Sequence, residues 1–328
     1  MTTFNNAFSR RSAMLAGLAA LAGTSALAQP AAYPSRPIRL LVGYSAGGGV
    51  DAMARLLAPR LSTVLGQQVV VENRAGAAGL IAGDLAAKSA PDGYTLILAE
   101  SAMLIAQYMQ PHMTFDPVKS FTPVSAVFTL PLMIVTGNNF PARGPKEFLA
   151  KLKSSPGAYS FATSGVGTVQ HLGFEMVKAW TGSFVVHIPY RGAAQIVPDV
   201  ISGQVPIGVV SATAGMAQAK AGKLHAMALM SGTKLPGADE VPLLSEALPG
   251  FDAAPRLFIL SPAGTPQPIV ERLNEAIRTV MSAPDLAVAA AQQGAVPAYM
   301  GSAALASDIG KESARWGRII REQKIKPE

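Results

Sequence analysis

Apolar residues along the chain follow two alternating rhythms: short unbroken runs, and longer stretches in which they recur at helical spacing. The first predicts buried strands and the second amphipathic helices. Residues 38–44 read as a strand. After them Val50, Met53, Ala54, Leu57, Leu61, Val64 and Leu65 recur at helical spacing up to Gly66, a good helix stop. Residues 69–71 form a second strand, residues 80–90 a helix, and residues 94–98 a third strand behind the Pro91-Asp92-Gly93 turn. Strand, helix, strand, helix, strand predicts a parallel sheet with helices on both faces.

The rhythm restarts after a proline-rich interruption at Pro111, Pro117 and Pro123. Strands are predicted at 132–135, 159–163, 185–188, 205–210 and 226–229. Helices are predicted between them at 146–154, 169–181, 194–202 and 214–221. Beyond Pro255 come a strand at 257–260 and helices at 268–281, around Ala287, and at 303–323. Such a tail cannot make a sheet alone, so it is expected to return to the first unit. The expectation is an α/β protein of two domains, residues 29–128 with 254–328 and residues 129–253. Each is a mainly parallel sheet flanked by helices, with a cleft between them.

Composition narrows the function. With 49% apolar and 14% charged residues over 328 positions, the chain has ample material for a core, which excludes intrinsic disorder. The formal charge of +7 includes no run of Lys or Arg long enough for a nucleic-acid patch, and 12 Phe, 7 Tyr and 2 Trp give no stacking platform, so no nucleic-acid partner is expected. Cys is absent, which excludes disulfides, thiol catalysis, Cys-ligated zinc and iron–sulfur clusters.

Residues 1–28 carry Arg10 and Arg11 without an acid, then an apolar stretch at 13–22, then Ala26-Leu27-Ala28. That is the layout of a cleaved secretory signal peptide. The apolar stretch is shorter than the ~20 residues a bilayer requires. Ser9-Arg10-Arg11 suggests the twin-arginine route, while Ser12-Ala13-Met14 lacks its usual apolar pair, so the general secretory route stays open. Either route leads to a soluble protein in the periplasm.

Three loops follow a strand and open a helix, the position where open α/β sheets bind ligands. The first runs Gly43-Tyr44-Ser45-Ala46-Gly47-Gly48-Gly49-Val50-Asp51. Its bare amides at a helix start favour an anion. It lacks the Gly-Lys-Ser/Thr of a nucleotide loop and the spacing of a dinucleotide fingerprint. A glycine-rich turn with Asp51 capping the helix is the alternative reading. The second loop, Thr163-Ser164-Gly165-Val166-Gly167-Thr168-Val169-Gln170-His171, repeats the logic. The third is Pro189-Tyr190-Arg191-Gly192, where Arg191 offers a carboxylate a charge-assisted contact. Anion-seeking loops from both domains point to one small anion in the cleft.

Catalytic readings fare poorly. His171 and Glu175 share a helix face but lack a third metal ligand. Ser164, His171 and Asp199 lack a Gly-x-Ser-x-Gly elbow. No enzyme activity, metal or cofactor is expected.

Several motifs in series carry a resemblance. They are Tyr33-Pro34-Ser35-Arg36-Pro37-Ile38, the triple-glycine loop with Asp51, Val70-Val71-Glu72-Asn73-Arg74-Ala75-Gly76, Pro91-Asp92-Gly93-Tyr94-Thr95-Leu96, and the loop from Ser164 to His171. Ile188-Pro189-Tyr190-Arg191-Gly192, Ser202-Gly203-Gln204-Val205, Ala221-Gly222-Lys223-Leu224 and Ser261-Pro262-Ala263-Gly264-Thr265-Pro266 continue it. In this order they resemble the Bug family, the extracytoplasmic solute-binding receptors of tripartite tricarboxylate transporters.

The resemblance implies a type II-like periplasmic-binding-protein fold that closes on one small organic carboxylate and delivers it, as a monomer, to membrane permease subunits. It implies contacts from Tyr44, Ala46, Gly48, Asp51 and Ser101 in the first domain. In the second it implies Ser164, Gly165, Gly167, Thr168, His171, Tyr190, Arg191 and Gly192. The sequence departs from the family at Glu100, where relatives carry a small residue, and at Pro206 and near Val210, where they often carry acids. Val210 predicts a ligand without an α-amino group, unless Glu100 supplies the acid. The rival functions are a periplasmic ligand-sensing receptor for a signalling kinase and a periplasmic hydrolase.

Overall fold

The first buried run folds as β1 (Ile38–Val42), and the predicted rhythm follows: α1 (Gly49–Leu65), β2 (Val69–Asn73), a 3-10 turn at Ala77–Gly79, α2 (Leu80–Ala87) and β3 (Thr95–Glu100). The computed structural model describes residues 1–2, 33–190 and 195–326. Beyond its first two residues, the expected export signal at 1–28 lies outside that range, as do Arg191 and Gly192.

Next come α3 (Ser101–Met109) and β4 (Phe121–Thr129), neither of which the sequence pattern predicts. The middle of the chain forms β5 (Leu132–Thr136), α4 (Pro145–Ser154), β6 (Ser160–Thr163), α5 (Val169–Thr181) and β7 (Val186–Pro189). It continues as α6 (Ile196–Ser202), β8 (Ile207–Ser211), α7 (Ala212–Lys220) and β9 (His225–Leu229). The chain ends through β10 (Arg256–Pro262), α8 (Gln267–Met281), α9 (Pro284–Gln292), β11 (Val296–Gly301) and α10 (Ser302–Glu322).

Two sheets result. One has six strands in the order β11-β4-β10-β3-β1-β2, the other five in the order β7-β6-β8-β5-β9. β1 runs parallel to β2 and β3, and β6 parallel to β7 and β8, as strand–helix–strand units require. β10 is antiparallel to β3 and β4, β11 to β4, and β5 to β8 and β9, so both sheets are mixed. The antiparallel strands include those that carry the chain between sheets, out from β4 to β5 and back from β9 to β10.

The core follows from side-chain alternation. Along β5, Leu132 and Ile134 join one buried cluster of the second sheet, and Met133 and Val135 join the other. Helix α10 serves both sheets. Its Leu305 and Ile309 pack with Leu41, Ile97 and Phe258 of the first sheet, while Trp316 and Ile319 pack with Ile134, Phe161 and Phe174 around the second. Trp316 is fully buried, and truncating such a residue to Ala costs about 3–5 kcal/mol.

Candidate functional site

Four helices, each the next helix after a strand, start at one cavity of about 410 Å³. Gly49 and Val50 open α1, Ala102 lies in the first turn of α3, Val169 opens α5, and Ser211 caps α7; all five line the cavity. Each helix start presents backbone N–H groups without intrahelical partners and the positive end of the helix dipole. Elements of both sheets share the wall, which is otherwise mainly apolar: Leu80, Ile105, Met109, Leu130, Leu132 and Val166. Among the described residues no Lys or Arg lines it, and Glu100 is the charged side chain that does.

The first loop is held by close packing and by one buried acid. A Cβ on Gly43 would lie 2.4 Å from Gly79 Cα, so only glycine lets the loop pass the 3-10 turn. Asp51 is buried, accepting from Gly47 N–H at 2.8 Å and Arg55 Nε at 2.9 Å on Oδ2, and from Asn73 Nδ2 at 2.8 Å on Oδ1. Burial alone would raise its pKa, but the hydrogen bonds from Arg55, Gly47 and Asn73 outweigh it and hold the carboxyl below its usual range. Asp51 therefore positions the loop rather than lining the cavity. Ala46 and Gly48 lie on the loop without lining the cavity. The left-handed backbone falls at Gly47 (φ 85°), whereas Gly48 has φ −78°.

Tyr44 does line the cavity, and its O–H donates to Glu100 Oε2 at 2.6 Å. Burial first, then the charge and hydrogen bond of Glu100, hold the phenol well above its ordinary pKa.

The second loop brings Ser164, Gly167 and Thr168 to the cavity, along with Gln170, which sequence reasoning did not single out. Ser164 donates both its N–H, at 2.9 Å, and its hydroxyl to Gln170 Oε1. The Thr168 hydroxyl is already committed, donating to Gly165 O at 2.8 Å and accepting from His171 N–H at 3.2 Å as the cap of α5. Gly167 has φ 75°, and a Cβ there would lie 3.4 Å from Met109 side-chain atoms of α3, across the cleft.

His171 and Gly165 stand behind this loop. His171 is buried; its Nδ1 accepts from Gly167 N–H at 3.2 Å, and Nε2 faces Glu175 Oε1 at 3.6 Å. Lys178 Nζ donates to the same oxygen at 2.7 Å. Burial raises the Glu175 pKa, but hydrogen bonds from His171 and Lys178 hold it below the ordinary value. The His171 ring stacks on His187 at 3.9 Å.

The remaining predicted residues that the structure describes, Ser101 and Tyr190, are also in supporting positions. Ser101 is fully buried, its Oγ accepting from Arg256 N–H at 2.9 Å where β10 begins. Tyr190 donates its O–H to Asp199 Oδ2 at 2.5 Å, and burial together with Asp199 pushes its pKa to about 12. Val210 is wholly buried in the core of the second sheet, so its side chain does not read the ligand. Ser211 was not singled out either, because the helix it caps was expected to begin only at 214. Nor were Ile105 and Met109, because α3 itself was not predicted.

Residues 53–325 match the Tripartite tricarboxylate transporter family receptor. The chain belongs to this receptor family. The receptor is 34% identical over 306 residues to protein BugT of Bordetella pertussis (strain Tohama I), covering 92% of this chain and 94% of that protein. Its fold is that of solved periplasmic binding proteins. The structure of R. palustris Rpa4515 with adipate is 28% identical with a TM-score of 0.75, covering 90% of this chain and 100% of that one. MatC of Rhodopseudomonas palustris with bound malate is 27% identical with a TM-score of 0.69, covering 88% and 100%. The Bug resemblance read from the sequence holds, and the family is one of solute-binding receptors rather than enzymes. Among the described residues, no helix of the receptor is long and apolar enough to cross a membrane.

Proposed function

We propose that the receptor captures a small organic carboxylate in the cleft between its two sheets and delivers it to a membrane permease of the tripartite tricarboxylate type. The observation that carries this is the convergence of four helix starts, from both sheets, on one cavity without a described Lys or Arg. Such a cavity holds an anion through backbone N–H groups. The adipate and malate of the two R. palustris structures belong to the same chemical class.

On this reading Tyr44 and the start of α1 at Gly49 and Val50 meet the ligand from one side, and the loop amides around Ala46 and Gly48 come onto it as the cleft closes. Ser164, Gly167 and Thr168 meet it from the other, with Arg191 and Gly192 as further ligand contacts. Asp51, Ser101, Gly165, His171 and Tyr190 act as positioning residues. Residues 29–128 with 254–328 make one domain and residues 129–253 the other, hinged at the two crossings between the sheets. The protein works as a monomer in the periplasm after losing residues 1–28.

The test pairs a thermal-shift and calorimetry screen of small carboxylates with Gly48→Val. The backbone at Gly48 suits any residue, and the nearest atom to a Cβ there is Ser45 O at 3.4 Å, so the fold should tolerate the change. The side chain would instead cover the amides, and binding should vanish with little change in melting temperature. Normal binding by this variant, or no stabilisation by any small carboxylate, removes the reading.

A further inference from the structure

Glu100 ends β3 and lines the cavity beside the start of α3. Its Oε2 takes the Tyr44 O–H at 2.6 Å, and the carboxylate also takes the backbone N–H of Ala102. Both donors are neutral. The charge that acts on it is another acid, Glu312. Glu312 shares a cation with Asp308, Arg256, whose Nη1 lies 3.7 Å from it, and accepts from Trp316 Nε1 at 3.1 Å. Glu100 has no such cation among the described residues.

An acid in a largely apolar cavity is costly unless a positive group pairs with it. Burial, and then the charge of Glu312, push the Glu100 pKa up, so an ammonium beside it would also hold it ionised. Two of the roughly four acceptor sites of a carboxylate are filled by Tyr44 and Ala102, which fixes Glu100 as an acceptor and leaves the others open. A ligand carboxylate brought in beside it adds a second negative charge and makes the imbalance worse.

We propose that the ligand is a carboxylate that also carries a protonated amine, and that Glu100 is the residue that selects it. The inference rests on the reading of the cleft as a carboxylate site. The helix starts and loop amides hold the ligand carboxylate, while the ammonium fills the open acceptor sites of Glu100. A plain monocarboxylate leaves Glu100 unpaired, and a dicarboxylate places a further anion in the same cavity.

Four five-carbon ligands separate the possibilities: pentanoate, 2-aminopentanoate, 5-aminopentanoate and pentanedioate, each titrated by calorimetry into the full mature protein. One of the two amino compounds should bind roughly tenfold or more tighter than both others. Glu100→Gln keeps an oxygen for the Tyr44 hydroxyl but removes the charge. The amino compounds should weaken, pentanoate should tighten, and the preference should collapse. Pentanoate or pentanedioate binding as well as either amino compound overturns the inference while leaving the carboxylate reading intact, as does a preference that survives Glu100→Gln. Binding by none of the four overturns the carboxylate reading and this inference with it.

Discussion

The amide of Gly167, which lines the cleft, donates to Nδ1 of His171, which does not, at 3.2 Å. The loop that faces the ligand thus hangs on a buried imidazole behind it. His171→Ala should loosen Gly167 and weaken ligand binding by roughly five- to tenfold, with a stability loss of about 1–2 kcal/mol. Calorimetry and urea unfolding read the two effects separately. An affinity that stays at the wild-type level despite the stability loss would show that the loop does not depend on His171.

Thr168 caps α5 through its own hydroxyl. Thr168→Ala should cost about 1 kcal/mol of stability whether or not ligand is present, whereas Thr168→Ser should restore it. Thermal melts of the free protein check this, and an unchanged melting temperature for the Ala variant would contradict the capping role.

Acid should weaken the fold earlier than its carboxylates alone imply. Burial first, and then neighbouring His171, push the His187 pKa from 6.5 down to about 3; Glu175 and Lys178 also act on this ring. Above pH 6.5 neither folded nor unfolded chain binds this proton. Between 6.5 and about 3 the unfolded chain binds it and the folded chain does not, so stability falls, by up to about 1.4 kcal/mol per pH unit for this one group. Asp51 and Glu175, whose folded pKa values are lowered, stabilise the fold above their ordinary values of 3.8 and 4.5 and add their losses only below them. His187→Phe should flatten the stability profile between pH 6.5 and 4.5, measured by urea unfolding at several pH values. A profile equally steep in that variant would place the acid sensitivity elsewhere.

Ligand should close the cleft. Gly167 of the second sheet's loop already faces Met109 of α3, so closure presses these two together. X-ray scattering at saturating ligand should show a smaller radius of gyration than the free protein, as hinge closure requires. Gly167→Ala should both weaken binding and reduce that contraction.

Export should remove residues 1–28. Sequencing the N-terminus from a periplasmic extract should begin near Gln29, and intact protein confined to the cytoplasm would refute the localisation. Changing Arg10 and Arg11 to Lys separates the routes, because only twin-arginine export should stop.

Much of the local structure was legible because helix and strand periodicity are written into consecutive residues. Helix α5 was placed residue for residue at 169–181, and the loops before α1 and α5 were recognised by their glycines, hydroxyls and position between strand and helix. What escaped has a physical cause in each case. Helix α3 buries residues nearly all round, so it lacks a polar face to give it a period. Strand β4 contains Pro123, which strand interiors normally exclude. It is tolerated because Pro123 pairs with Leu260 at a register shift, and β11 joins β4 only from Ser125 onward.

The sequence by itself determined the alternation of strands and helices, the anion-seeking loops and the family. Tertiary structure decided which way each side chain faces. Asp51, Ser101 and His171 look alike in sequence as polar residues at helix starts, yet packing turns them away from the cavity to hold backbone N–H groups. Glu100, the last residue of β3 and one before Ser101, lines the cavity instead, where its carboxylate takes the Tyr44 hydroxyl. Sheet order, the antiparallel return of β10 and β11, and the meeting of Gly167 with Met109 join residues far apart in the chain, and no local pattern records such contacts.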